Sequence, residues 1–257
     1  MAEELVPLSV EAGIATITLD SPANRNALSA QLRRELIAAL QHTAADGAVR
    51  VVVLSHTGPV FCAGMDLAES RGAGAGEQGV TEFPRILELI WTHPKPVVAR
   101  LAGAARAGGV GMVAAADIAV ASRDASFAFT EVRIGVVPAV ISVTVLPRLL
   151  PRAAHELFLT GETFDAARAA AIGLLNSAVP AEGLDAEVAR YTGMLARGGP
   201  EALTLTKQLL RRTPAPTMAE DFTSMLELSA ERFASAEGQE GIRAFGEKRP
   251  PSWVPPD

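Results

Sequence analysis

Three glycines, Gly108, Gly109 and Gly111, stand in "RLAGAARAGGVGMVAAAD" where an apolar strand gives way to a helix. Small residues at such a junction let a ligand reach the backbone, and the first N–H groups of a helix have no intrahelical acceptor, so negative charge is favoured there. No acid lies among the glycines. The chemistry must therefore use backbone dipoles or a carboxylate brought from elsewhere. A second small-residue loop, "FCAGMDL", reads as the entry to another helix. The N–H groups of Ala63 and Gly108, converging on one point, would form an oxyanion hole, each donor typically worth about 3 kcal/mol to a developing negative charge. A competing pattern is G-x-G-x-x-A at Gly109, Gly111 and Ala114, with Glu131 about 20 residues on as the ribose carboxylate of a dinucleotide fold. It fits poorly, because several strands precede this loop and "FCAGMDL" is left unused.

The elements that must hold these loops follow from periodicity. "EAGIATITLD" alternates as a half-buried strand, and Ser29 caps a helix carrying Leu32, Leu36 and Leu40 on one face. "VRVVVLS" is a continuous apolar run, the signature of a strand covered on both faces and joined to its neighbours by crossovers. "RGAGAGEQG" reads as a mobile surface excursion, and a helix at "FPRILELIW" leads to further strands expected at "HPKPVVARLAG", "DIAVAS" and "SFAFTEV". From Pro147 the spacing is helical, apart from a short strand near "LLNSAVP", and after "RGGP" it reads as helical throughout. The pattern predicts an α/β core over 1–197 and a helical region over 198–257.

Composition narrows the function. The chain has 257 residues, 49% of them hydrophobic, and a formal charge of -6. The acidic balance argues against a nucleic-acid footprint, and neither a membrane span nor a signal peptide is legible, so a cytoplasmic protein is expected. Cys62 is the only cysteine, which excludes an internal disulfide and a cysteine zinc cage. His56 and His93 lack partners at metal or triad spacing and read as packing residues. Lysine occurs only at Lys95, Lys207 and Lys248.

"PANRNAL", "GPVFCAGMDL", "HPKPVVARLAGAARAGGVGMVAAADIAVAS", "FTEVRIGVVPAVIS" and "LTGETFDAARAAAIGLLNSAVP" occur in one order and register. In these blocks the chain resembles the crotonase superfamily of enoyl-CoA hydratases and isomerases over nearly its whole length. The resemblance implies a spiral of ββα units with a C-terminal trimerisation region, assembled as a trimer or a pair of trimers. It implies a coenzyme A thioester substrate, with no metal and no redox cofactor. Ala63 and Gly108 match the oxyanion donors, and Glu131 matches a glutamate that exchanges a proton beside the thioester, an ion pair with Arg133 being its alternative. Gly64, Met65, Asp66 and Leu67, with Arg25 and Ala27, match positions that contact coenzyme A. Phe245 and Lys248 match positions that reach a neighbouring subunit's pocket. The second acid of typical hydratases would fall at Gly111 and is missing, with Asp124 and Glu156 as conceivable replacements. A bacterial branch of hydratases carries the same glycine. Hydration of a short or branched enoyl-CoA is therefore the expected reaction; Δ3,Δ2-isomerisation and non-catalytic acyl-CoA binding are the alternatives.

Overall fold

The structure, a computed structural model, describes residues 4–69 and 81–254, so the glycine-rich stretch 71–79 lies outside the described residues. The chain begins with β1 (Leu8–Glu11) and β2 (Ile14–Leu19), then α1 (Ala30–Ala45), whose first turn is capped by the Ser29 hydroxyl accepting from the Leu32 N–H. Three strand pairs follow. β3 (Val51–His56) and β4 (Val60–Cys62) lead towards α2 (Phe83–Trp91); β5 (Val97–Leu101) and β6 (Ala104–Arg106) lead into α3 (Gly108–Ala115). β7 (Ile118–Ser122) and β8 (Ser126–Ala128) pass through a 3-10 turn at Thr130–Ile134 to α4 (Ala139–Val145). α5 (Pro151–Thr160), β9 (Phe164–Asp165), α6 (Ala166–Ala171), β10 (Ser177–Val179) and α7 (Leu184–Ala196) complete the α/β part, and α8 (Pro200–Leu209), α9 (Met218–Ala234) and α10 (Ala236–Glu247) extend it.

Each pair sends its first strand to one sheet and its second to another. The larger sheet runs β1-β2-β3-β5-β7-β10 and the smaller β4-β6-β8-β9; only β1–β2 and β8–β9 are antiparallel. Repetition of this ββα unit winds the chain as a spiral. β3 is buried at every residue because it lies between parallel neighbours, Val52 facing Ile14's successor Ala15 on one side and Val97 on the other. α3 is buried along its whole length, and its sequence, GGVGMVAA, explains how: almost every side chain is small enough to admit a neighbouring backbone.

Three expectations need correction. No helix follows "FCAGMDL" among the described residues, where Leu67–Glu69 instead forms a turn held by Asp66. The short strand β9, pairing with β8, has no alternation long enough to be legible. The C-terminal region is not helical throughout, since residues 212–217 break it where prolines 214 and 216 remove donors. No helix among the described residues is long and apolar enough to cross a membrane.

Two lysines anchor the core. Lys95 Nζ donates to the carbonyls of Thr43, Ala44 and Asp46 at 2.6–2.8 Å, closing the C-terminal end of α1, where the helix dipole favours a cation. Lys207 is buried, donating to the Lys95 carbonyl and pairing with Asp117 at 2.5 Å, which ties α8 to the sheet. Between them His93 is enclosed, its Nδ1 3.1 Å from the Lys95 carbonyl and its Nε2 3.2 Å from the Thr43 hydroxyl. Burial, reinforced by the two lysines, pushes its pKa down from 6.5 to about 4. Between pH 6.5 and about 4 the folded protein therefore binds fewer protons than the unfolded chain, and stability is lost as the pH falls through that window. Urea denaturation is expected to show a loss of about 2 kcal/mol from His93 between pH 7 and pH 5, and the loss disappears in His93→Gln.

Candidate active site

A cavity of about 450 Å³ opens where the loop after β4, the start of α3, the Thr130–Ile134 turn and the start of α4 meet. Ala63, Met65, Leu67, Phe83, Gly108 and Glu131 line it, and the run from Ile134 to Ile141 supplies the rest of an apolar wall.

The loop after β4 lies directly on the N-terminus of α3. A methyl built on Gly64 would stand 3.0 Å from the Ala107 Cβ and 3.4 Å from the Gly108 nitrogen. One built on Gly109 would stand 2.5 Å from the Cys62 carbonyl oxygen. Gly64 also has φ +90°, a conformation that side chains disfavour. Ala107 enters α3 at φ 46°, a strained angle for a residue with a Cβ.

The expected donor pair changes at one member. The Ala63 N–H is not free: it donates to the Arg25 carbonyl at 3.1 Å, because Ala63 leaves a strand and starts no helix. The Gly64 N–H points at Cys62 Sγ, 3.4 Å away. Leu28 donates to the Gly64 carbonyl in a parallel bridge that pairs Leu28 with Met65, and this turns the Met65 N–H to the opposite side. The N–H groups of Met65 and Gly108 have no acceptor among the described residues, and both residues line the cavity. Sequence reasoning named Met65 only as a contact; a count of loop positions cannot say which N–H a neighbouring strand consumes.

Glu131 lies in the first turn of the Thr130–Ile134 3-10 segment and lines the same cavity. Its Oε2 is buried with no hydrogen-bond partner among the described residues, and burial raises its pKa above 4.5. The alternative ion pair does not form, since Arg133 binds Glu162 at 2.6 Å. Thr130 lines the cavity next to Glu131, and its hydroxyl makes no hydrogen bond to a described residue.

Gly111 is not an empty place awaiting an acid. A Cβ there would meet Ile141 Cγ2 at 2.7 Å, so α4 fills the space with an apolar side chain. Neither proposed replacement lines the cavity: Asp124 engages Ser122, and Glu156 pairs with Arg168. The packing of Gly109 on Cys62 and of Gly111 on Ile141 also leaves neither glycine open to a pyrophosphate, which removes the dinucleotide pattern. His56 accepts from the Ala102 N–H and packs edge-on against Phe61, and the buried Cys62 thiol is pushed up to about 12. Both are packing residues. Among the described residues no group of three or more metal-ligating side chains occurs.

The remaining residues separate. Asp66 closes the loop by accepting from the Ala68 N–H, and its neighbour Leu67 is exposed at the cavity. Ala27 is buried beneath the loop, whereas Arg25 is exposed at φ 60°. Asn26, which sequence reasoning missed, is wholly buried: it donates to the carbonyls of Thr57 and Val60 and accepts from Ser21, fixing the turn that presents the Arg25 carbonyl. Phe245 is 88% exposed on α10 and Lys248 ends that helix; within one chain neither lines the cavity.

The family model described as enoyl-CoA hydratase/isomerase matches residues 9–255. A Thermus thermophilus relative, provisionally named an enoyl-CoA hydratase, is 36% identical over 250 residues, covering 95% of this chain and 99% of its own. Human enoyl-CoA hydratase domain-containing protein 3 is 34% identical over 94% of this chain and 80% of its own. The crystal structure of an enoyl-CoA hydratase from Mycobacterium smegmatis superposes with a TM-score of 0.90 at 32% identity, covering 98% of this chain and 99% of that one. The sequence, the ββα spiral and the C-terminal helices agree: this chain belongs to the enoyl-CoA hydratase/isomerase family and has the crotonase fold.

Proposed function

We propose that the cavity is a coenzyme A thioester site in which Glu131 moves a proton at C2 of an enoyl group, hydration being the first reading. The observation that carries it is the meeting, in one apolar cavity, of the buried Glu131 Oε2 with the N–H groups of Met65 and Gly108, all without a hydrogen-bond partner among the described residues. In hydration, the Glu131 carboxylate takes a proton from water as the hydroxyl bonds to C3. The electron pair of the double bond moves onto the thioester oxygen, where the two N–H groups hold the enolate. Glu131 then returns its proton to C2. Preorganised donors suit this step because the charge appears only during the reaction. Burial around Glu131 raises its proton affinity towards that of the groups it exchanges with.

A second reading is favoured by Ile141. Because an apolar side chain stands at the Gly111 wall, Glu131 is the only acid lining the cavity among the described residues. Double-bond migration needs one carboxylate alone: it removes a proton from C2 of a 3-enoyl thioester and returns it to C4. Hydration needs a water held by Glu131 with less help, for which the Thr130 hydroxyl is the available partner. Binding of an acyl-CoA without turnover is the remaining alternative.

The coenzyme A portion is assigned to the exposed side of the same loops. Met65, Gly64, Asp66 and Leu67 would lie along the pantetheine, with Ala27 and the exposed cation Arg25 towards the nucleotide phosphates. We also propose homo-oligomers, trimers or pairs of trimers, built through residues 198–257. The exposed Met218, Phe222, Leu226 and Phe233 of α9, and Ile242 and Phe245 of α10, are the apolar faces that such an assembly would cover, bringing Phe245 and Lys248 to a neighbour's site.

Glu131→Gln is expected to lower turnover of an enoyl-CoA by roughly 10²–10⁴-fold while leaving the thermal midpoint close to wild type; unchanged turnover overturns the assignment. The wild-type rate should fall on the acid side as Glu131 becomes protonated, with a midpoint above 4.5, the ordinary value for the group. Parallel assays with a 2-enoyl-CoA followed at the loss of conjugation, and a 3-enoyl-CoA followed at its gain, separate hydration from migration. A faster second reaction selects the isomerase reading.

A further inference from the structure

The acyl end of the cavity has two different sides. On the inner side, Ile141 is buried and its Cγ2 and Cβ occupy points 2.7 and 3.2 Å from where a Gly111 Cβ would be, with Leu87 Cδ2 at 3.5 Å. Side chain meets bare backbone there without a gap the size of a methyl group. On the outer side, Ile134, Val136 and Val137 line the same cavity while remaining 59%, 50% and 75% exposed. The one charge between Val132 and Ile141, Arg133, is engaged by Glu162. An apolar strip continuous with a cavity is what an alkyl chain covers most favourably, since both surfaces leave water together.

We propose that this cavity is blind at Ile141 and open along Ile134, Val136 and Val137, so that it takes coenzyme A thioesters whose acyl tail continues as an apolar chain over the exposed rim. The proposal rests on the cavity being a coenzyme A thioester site. It adds the direction of the tail and a substrate class, acyl groups longer than the reacting carbons require.

The test is calorimetric titration of the full-length protein, in its own assembly state, with saturated acyl-CoAs from four to twelve carbons, which bind without reacting. Complete burial of a methylene strengthens binding roughly four-fold, so a chain covered on one side should gain about two-fold per methylene beyond butanoyl-CoA. Val137→Ser should bring that gain close to one-fold, whereas Ile141→Ala should leave it in place. Tight butanoyl-CoA binding with no gain for longer chains overturns the proposal and leaves the coenzyme A reading intact. A gain that is lost in Ile141→Ala and kept in Val137→Ser also overturns it, because the tail then runs inward. Absence of binding at every length overturns the coenzyme A reading itself. Sedimentation of Val137→Ser supplies the last outcome: an altered assembly state makes the rim a contact between copies and overturns the proposal.

Discussion

No side chain fits between β4 and the first turn of α3, and the site depends on that closeness. Gly109 lets α3 rest on the carbonyl of Cys62, and Gly64 lets the following loop fold over Ala107. The contact is held from below by Asn26, whose amide bridges Ser21, Thr57 and Val60, and by the Arg25 carbonyl, which takes the Ala63 N–H. Ala107 bears part of the cost, as its φ of 46° is of the kind that costs about 1–3 kcal/mol and persists only where surrounding structure enforces it. Two backbone N–H groups, from Met65 and Gly108, are left without acceptors among the described residues as a result.

The treatment of buried charge differs sharply between the two ends of α3. At its C-terminal end, Asp117 pairs with Lys207, and Arg148 donates to the carbonyls of Ala114 and Ala116 while stacking over Trp91. Each charge there has a partner, and the arrangement anchors the helical region to the sheet. At the N-terminal end, Glu131 Oε2 is enclosed and unpaired among the described residues. A desolvated carboxyl oxygen without a partner destabilises a fold, and such a group in a cleft is a candidate for a functional site.

Much of this was legible in the sequence because the signals are long or chemically narrow. The continuous apolar run of β3, the capping Ser29 and the small-residue helix α3 each point to one local structure, and Glu131 stands out as the acid in a block of recognisable order. The donor at Met65 was not legible, since which N–H remains unpaired depends on Leu28 and Arg25, nearly forty residues upstream and set against the loop only by folding. Asn26 was hidden for the same reason: in "NRNAL" nothing distinguishes a buried bridge from an ordinary turn residue. β9, two residues long, carries no periodicity at all.

Ile141 and Gly111 have a consequence of another kind. Because the Ile141 side chain occupies the volume where a side chain at 111 would begin, the two positions cannot vary independently. A carboxylate introduced at 111 first meets a branched hydrocarbon, and a truncation at 141 alone opens a void in the wall. Each step alone is a loss, even where both together would be accommodated. The pair is thus an epistatic lock: among the described residues, a cavity lined by one acid is kept not only by the residue that is absent but by the neighbour that has taken its room.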